Sequence, residues 1–197
     1  MKIWLATSIT LICLALCQGC GNAPPGPDTT GTLAETIIDA GTPACDTLFY
    51  NNEYGYGFDL PAEADLLATE GLGRFFRAWA ITFGQGRIGI STAVHDAPPG
   101  SLSEYVLELV EVQEAEGSTI LEALPISLPN GTDAYFTSSI DPSVIGSDRF
   151  VRLIVRAIVG EYFYYLAAFI LIDDYSDTVD IFIVGLLNSL CFTGSAE

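Results

Sequence analysis

Gly84-Gln85-Gly86-Arg87-Ile88-Gly89 has the spacing of a dinucleotide-binding fingerprint, whose glycines let the backbone turn tightly and approach a pyrophosphate held at a helix N-terminus. That chemistry needs the glycines to follow a strand and open a helix. Here Ile88, Ile90 and Ala93-Val94 continue in β-rich fashion, so the segment is expected to be a hairpin turn that binds no nucleotide. Nucleophilic catalysis needs a base beside a serine or cysteine, and the one histidine is His95, which runs into Asp96-Ala97-Pro98-Pro99-Gly100. No Gly-x-Ser-x-Gly elbow accompanies it. The 25 acidic residues show no spacing that singles out an acid/base pair. Asp173-Asp174-Tyr175-Ser176-Asp177-Thr178-Val179-Asp180 has the acidity of a calcium loop but neither its central glycine nor its terminal glutamate. Those acids are expected in the first turn of a helix, where they complement its dipole. No catalytic residue, cofactor or metal is expected from these motifs.

Two further groups allow binding. Glu104, Glu108, Glu111, Glu114 and Glu116 spread over one side of a helical segment with no lysine or arginine three or four residues away. They read either as a solvated face, screened by salt or divalent cations, or as an acidic docking face in which Glu104, Glu108, Glu111 and Glu114 meet a partner. Tyr162, Phe163, Tyr164, Tyr165 and Phe169 would suit an aromatic ligand site, but their apolar neighbours favour burial in a sheet beneath helices.

The elements that position these residues follow from periodicity. Residues 47–51 and 55–61 read as strands, the second ended by Pro61, and 62–70 as a helical turn or loop. Residues 74–83 and 87–94 form the hairpin around Gly84 to Gly86. Ser101-Leu102-Ser103-Glu104 has capping-box spacing, and Leu102, Tyr105, Val106, Leu109 and Val112 recur at helical intervals until Gly117. Strands return over 119–128, 132–140, 150–159 and 161–172, turning at Asn130-Gly131 and Gly160. A last helix begins near Asp174 and Asp177, with Tyr175, Val179, Phe182, Ile183, Leu186 and Leu190 on one stripe. Hairpin connections dominate, so the expected fold is α+β, a mostly antiparallel sheet flanked by helices.

The chain has 197 residues, half of them hydrophobic, with 16% charged, which fits one globular domain. Its net charge is −18 and its only lysine is Lys2, so the clustered cations that displace counterions from nucleic acid are missing.

Met1-Lys2 followed by the uncharged run 3–16 has the form of an export signal, shorter than the span of about 20 residues that crosses a bilayer. Cys17-Gln18-Gly19-Cys20-Gly21 follows, and at this point the chain resembles bacterial lipoproteins, in which a small residue precedes a cysteine that takes a diacylglycerol and is then acylated on its freed amine. Gly19 and Cys20 match those positions. Cys17 stands where that family usually has leucine, and the competing site at Cys17 follows the bulky Leu16. The resemblance implies a signal peptide over 1–19, a lipid anchor at Cys20 carrying palmitate-type chains, a tether over 20–44 and a domain over 45–197. Residues 33–40 read as a short helix within that tether. Plain secretion without lipid is the alternative. Ala23-Pro24-Pro25-Gly26-Pro27-Asp28 suits a solvated spacer, and Gly21 in place of aspartate implies the outer membrane in the enteric rule. Each buried methylene contributes about 0.8 kcal/mol, so several chains on one cysteine hold a domain at a membrane.

With Cys13 and Cys17 in the signal and Cys20 lipidated, Cys45 and Cys191 remain, and an oxidising envelope favours a disulfide between them. A reactive or zinc-binding pair, with His95 as the remaining soft ligand, is the alternative.

Across residues 47–192 the chain is similar to the PsbP-like α/β/α family, which includes a photosystem II extrinsic protein, Ran-binding relatives and bacterial envelope lipoproteins. The likeness rests on Tyr50-Asn51, Gly57-Phe58-Asp59-Leu60-Pro61, the central helix, Leu128-Pro129-Asn130-Gly131, Gly160 with Tyr162-Phe163-Tyr164-Tyr165-Leu166, and Asn188-Ser189-Leu190-Cys191-Phe192. It implies a fold used for docking and assembly, without shared catalytic residues. The expected protein is therefore an envelope lipoprotein acting as a non-enzymatic binding or assembly module, with a membrane and an envelope protein as partners. The alternative is an envelope hydrolase using dispersed carboxylates or His95.

Overall fold

The computed structural model describes residues 49–71, 73–84, 86–142 and 149–193. The elements in order are β1 (Phe49–Asn51), β2 (Tyr56–Phe58), β3 (Asp65–Ala68), β4 (Phe75–Phe83), β5 (Gly86–Asp96), α1 (Leu102–Ala115), β6 (Thr119–Ser127), β7 (Asp133–Pro142), β8 (Arg149–Val159), β9 (Tyr162–Leu171), a 3-10 turn (Ile172–Asp174), α2 (Asp177–Asn188) and β10 (Cys191–Phe192). Seven strands form one sheet in the order β3-β4-β5-β9-β8-β7-β6, and β1-β2-β10 form a small second sheet. Every neighbouring pair is antiparallel, and the large sheet ends on β3 and β6 without closing into a barrel. The α+β expectation holds.

Side chains alternate across the pleat, so each strand feeds two faces. On the first face Ile90, Leu153, Val155, Leu166 and Ile170 meet α2 through Val179, Ile183, Leu186 and Leu187. The small sheet covers the rest of this face: Tyr56 and Phe58 are fully buried, and Tyr56 meets Tyr164 edge-on at 5.3 Å. The Asp59 backbone N–H donates to Ser189 Oγ at 2.7 Å, which ties the end of α2 to β2. On the second face α1 packs against β6 and β7, and a smaller apolar cluster is built from Phe76, Ala78, Ala93, Phe150, Ile154 and Phe169.

Local chemistry sets the element ends. The Glu104 N–H donates to Ser101 Oγ at 3.2 Å while the Glu104 carboxylate accepts from the Ser101 N–H at 3.1 Å, closing the capping box. Gly84 turns the β4-β5 hairpin at a φ of +61°, and a Cβ at Gly86 would stand 2.7 Å from the Asp174 carboxyl carbon. The fingerprint glycines thus join two antiparallel strands, and no helix follows them.

Two local expectations are corrected. Residues 62–70, read as a helical turn or loop, contain the edge strand β3. Leu66 and Leu67 are 54% and 37% exposed, so no burial pattern marks the strand and it is made by backbone pairing with β4. The two-residue β10 was not expected either, because pairing with Gly57 and Tyr56, not its own composition, makes it a strand. The short helix expected over 33–40 lies outside the described residues.

Candidate functional site

In β8 the sequence Phe150-Val151-Arg152-Leu153-Ile154-Val155-Arg156-Ala157 sorts by parity: the odd positions join the main core and the even ones face the other side. Arg152 and Arg156 are thereby set in the sheet interior, each 4% exposed. Charged side chains are rarely buried this fully unless paired.

Arg152 is paired. Its Nε stands 2.7 Å from Asp141 Oδ2 and 3.4 Å from Ser139 Oγ, and that serine hydroxyl donates to Asp141 Oδ1 at 2.8 Å. Arg156 differs. Its Nη1 donates to Thr137 Oγ1 at 2.6 Å, and no carboxylate lies within ion-pair distance of it among the described residues. Burial first, and the nearby charge of Arg152 second, pull its pKa down to about 9. A guanidinium still stays protonated at neutral pH, so this depression marks a buried charge that lacks its counter-ion.

The neighbours of Arg156 are polar and aromatic. In register it faces Tyr165 on β9 and Tyr135 on β7. Ser91, fully buried on β5, stands near Tyr165, and its hydroxyl completes no hydrogen bond among the described residues. Burial pushes the Tyr165 pKa up, and Ser91 and the two arginines pull it back less strongly. His95 stacks on Tyr165 with ring centroids 6.2 Å apart, and from α1 Tyr105 meets Phe163 edge-on at 5.2 Å. His95, Tyr105 and Tyr165 are each only partly buried.

Burial lowers the His95 pKa, against a weaker opposite pull from Asp96, and the imidazole is neutral at pH 7. Asp96 cannot orient it as a catalytic partner, because alternation sends that carboxylate to the other face, where it accepts from Arg74 Nε at 2.5 Å. The acidic helix face separates in two: Glu104 is committed to the capping box, while Glu108, Glu111 and Glu114 lie on the exposed side of α1. The aromatic strand also divides, with Tyr162 and Tyr164 toward the main core and Phe163, Tyr165 and Phe169 on the arginine face. Asp177 and Asp180 sit in the first turn of α2, and the Tyr175 hydroxyl donates to Asp180. Among the described residues no group of three His, Cys, Asp or Glu is placed to hold a metal. Cys191 is fully buried in β10, and Cys20 and Cys45 lie outside the described residues.

Sequence reasoning passed over Arg152 and Arg156. The signal was present: half of the six arginines fall in one apolar strand, and these two share its parity.

A seven-stranded antiparallel sheet with α2 and a small sheet on one face, and α1 over buried arginines on the other, defines the class as an open α+β sandwich. The same fold occurs in LpqN of Mycobacterium tuberculosis, solved as a protein involved in cell envelope biogenesis. The two share a TM-score of 0.52 at 12% identity, over 74% of this chain and 88% of LpqN. No family model and no curated protein matches the chain. Among the described residues no helix is long and apolar enough to cross a membrane.

Proposed function

We propose that this protein is a lipid-anchored, non-enzymatic binding or assembly module of a bacterial cell envelope, built on a PsbP-like domain. The observation that carries the reading is the fold shared with LpqN, whose described role is in envelope biogenesis. The signal-like run 3–16 and Gly19-Cys20 support an anchor at Cys20. The order of strands and helices read from the periodicity, on which the PsbP-like resemblance is placed, recurs with one added edge strand and a short final one, and this supports that domain type. A disulfide from Cys191 to Cys45 fits an exported domain, and the full burial of Cys191 agrees with it. On the exposed side of α1, Glu108 and Glu111 form the face offered to an envelope protein.

Crosslinking in the producing cell's envelope, followed by mass spectrometry, tests the reading. The expected result is a reproducible partner that is lost when Glu108 and Glu111 are both replaced by Lys. Hydrolase activity abolished by His95→Ala, with no partner captured, would overturn it and favour the enzyme alternative.

A further inference from the structure

Arg156 presents a delocalised cation with donors to spare. A guanidinium carries five N–H groups, and the described structure engages this one through a single neutral hydroxyl, that of Thr137. Its neighbour Arg152 shows what a satisfied arginine looks like in the same strand, with a carboxylate at 2.7 Å. A second unfulfilled polar group stands on the same face, the fully buried Ser91 hydroxyl. The surroundings are not closely sealed: Tyr165, Tyr105 and His95 are partly exposed residues, and α1 rests on the sheet with Val106 as its one fully buried residue. An oxyanion matches this arrangement, because a planar guanidinium fork binds carboxylate or phosphate through two parallel hydrogen bonds.

We propose that Arg156 anchors a ligand site between α1 and the second face of the sheet that takes a phosphate or carboxylate group, with the Tyr165 and Tyr105 phenols and the Ser91 hydroxyl beside it. This rests on the binding-module reading and names the chemistry of one ligand. Both residue type and position matter: the anion replaces the counter-ion that the fold withholds from Arg156, and Arg152, held by Asp141, adds field without being freed.

The test is calorimetric titration of the full chain in nonionic detergent with inorganic phosphate, octyl phosphate and octanoate, using octanol as the neutral control. Saturable binding of at least one anion and none of octanol is expected. In Arg156→Met the affinity should fall about tenfold or more, since a charge-assisted buried hydrogen bond is lost. Binding of octyl phosphate or octanoate without inorganic phosphate identifies a lipid headgroup as the source, and binding of inorganic phosphate alone identifies a free ion. Silent titrations of the unmutated chain with all three anions, or unchanged affinity in Arg156→Met, would overturn the site. If Arg156→Met does not fold, Arg156→Lys serves instead, and its loss of the bidentate fork should still weaken binding several-fold. Silent titrations alongside a captured envelope partner remove the ligand and leave the module. His95-dependent hydrolysis alongside anion binding removes the module and leaves the site.

Discussion

Arg152 and Asp141 form an ion pair inside the sheet, Nε to Oδ2 at 2.7 Å, with the serine at 139 bonded to both. Four residues along the same strand, Arg156 has Thr137 as its neutral partner. One buried cation is thus neutralised by a carboxylate, and among the described residues the next is not.

Asp141→Asn should therefore be costly. It would leave Arg152 buried without a counter-charge, and breaking such a pair costs about 3 to 5 kcal/mol. Urea unfolding of the variant is expected to show a midpoint shifted by that amount with an unchanged slope. A loss under 1 kcal/mol would mean that the pair is effectively solvated.

His95 should make stability depend on pH. Its folded pKa lies below the unfolded value because burial disfavours the imidazolium. In the window between those two values the unfolded chain binds more protons, so stability is complete above the unfolded value of about 6.5 and declines as pH falls below it. Melting temperatures of the unmutated chain and His95→Asn, compared from pH 7.5 to 5.5, should diverge, with the unmutated chain losing more. Parallel curves would place the imidazole in solvent.

The helix cap should be measurable on its own. Ser101→Ala removes the acceptor for the Glu104 N–H and one partner of the Glu104 carboxylate, and losses of this kind run to about 1 kcal/mol. Equilibrium unfolding should report that loss, and a neutral result would show that α1 frays at its first turn.

Most of the architecture was legible because its signals are local. The capping box at Ser101, the stop at Gly117, the turns at Gly84, Gly131 and Gly160, and the stripe of α2 are each written within a few residues. The strand β3 was not, since Leu66 and Leu67 stay exposed and pairing with β4 alone makes it β. The arginine cluster was harder still. Thr137, Ser91, Tyr165 and Arg156 come from four strands, and only the register β5-β9-β8-β7 brings them together. His95 was visible as the lone histidine, but its stacking on Tyr165 across β5 and β9 was not.

Thiol chemistry checks the cysteine pairing. Counting free thiols on denatured, unreduced protein should find neither Cys45 nor Cys191 reactive. In the chain-entropy model a bridge spanning nearly the whole domain contributes up to about 5 kcal/mol, so reduction should lower the unfolding midpoint sharply. Two titratable thiols at these positions would reopen the metal-binding reading.

Attachment to a membrane is the claim from which the compartment and an envelope partner follow. Metabolic labelling with palmitate, combined with membrane fractionation and intact mass, measures it directly on the unmutated chain and on Cys20→Ser. The expected result is a labelled, membrane-bound protein beginning at Cys20, with label and attachment both lost in Cys20→Ser. An unlabelled, soluble mature protein that begins at another residue would contradict it.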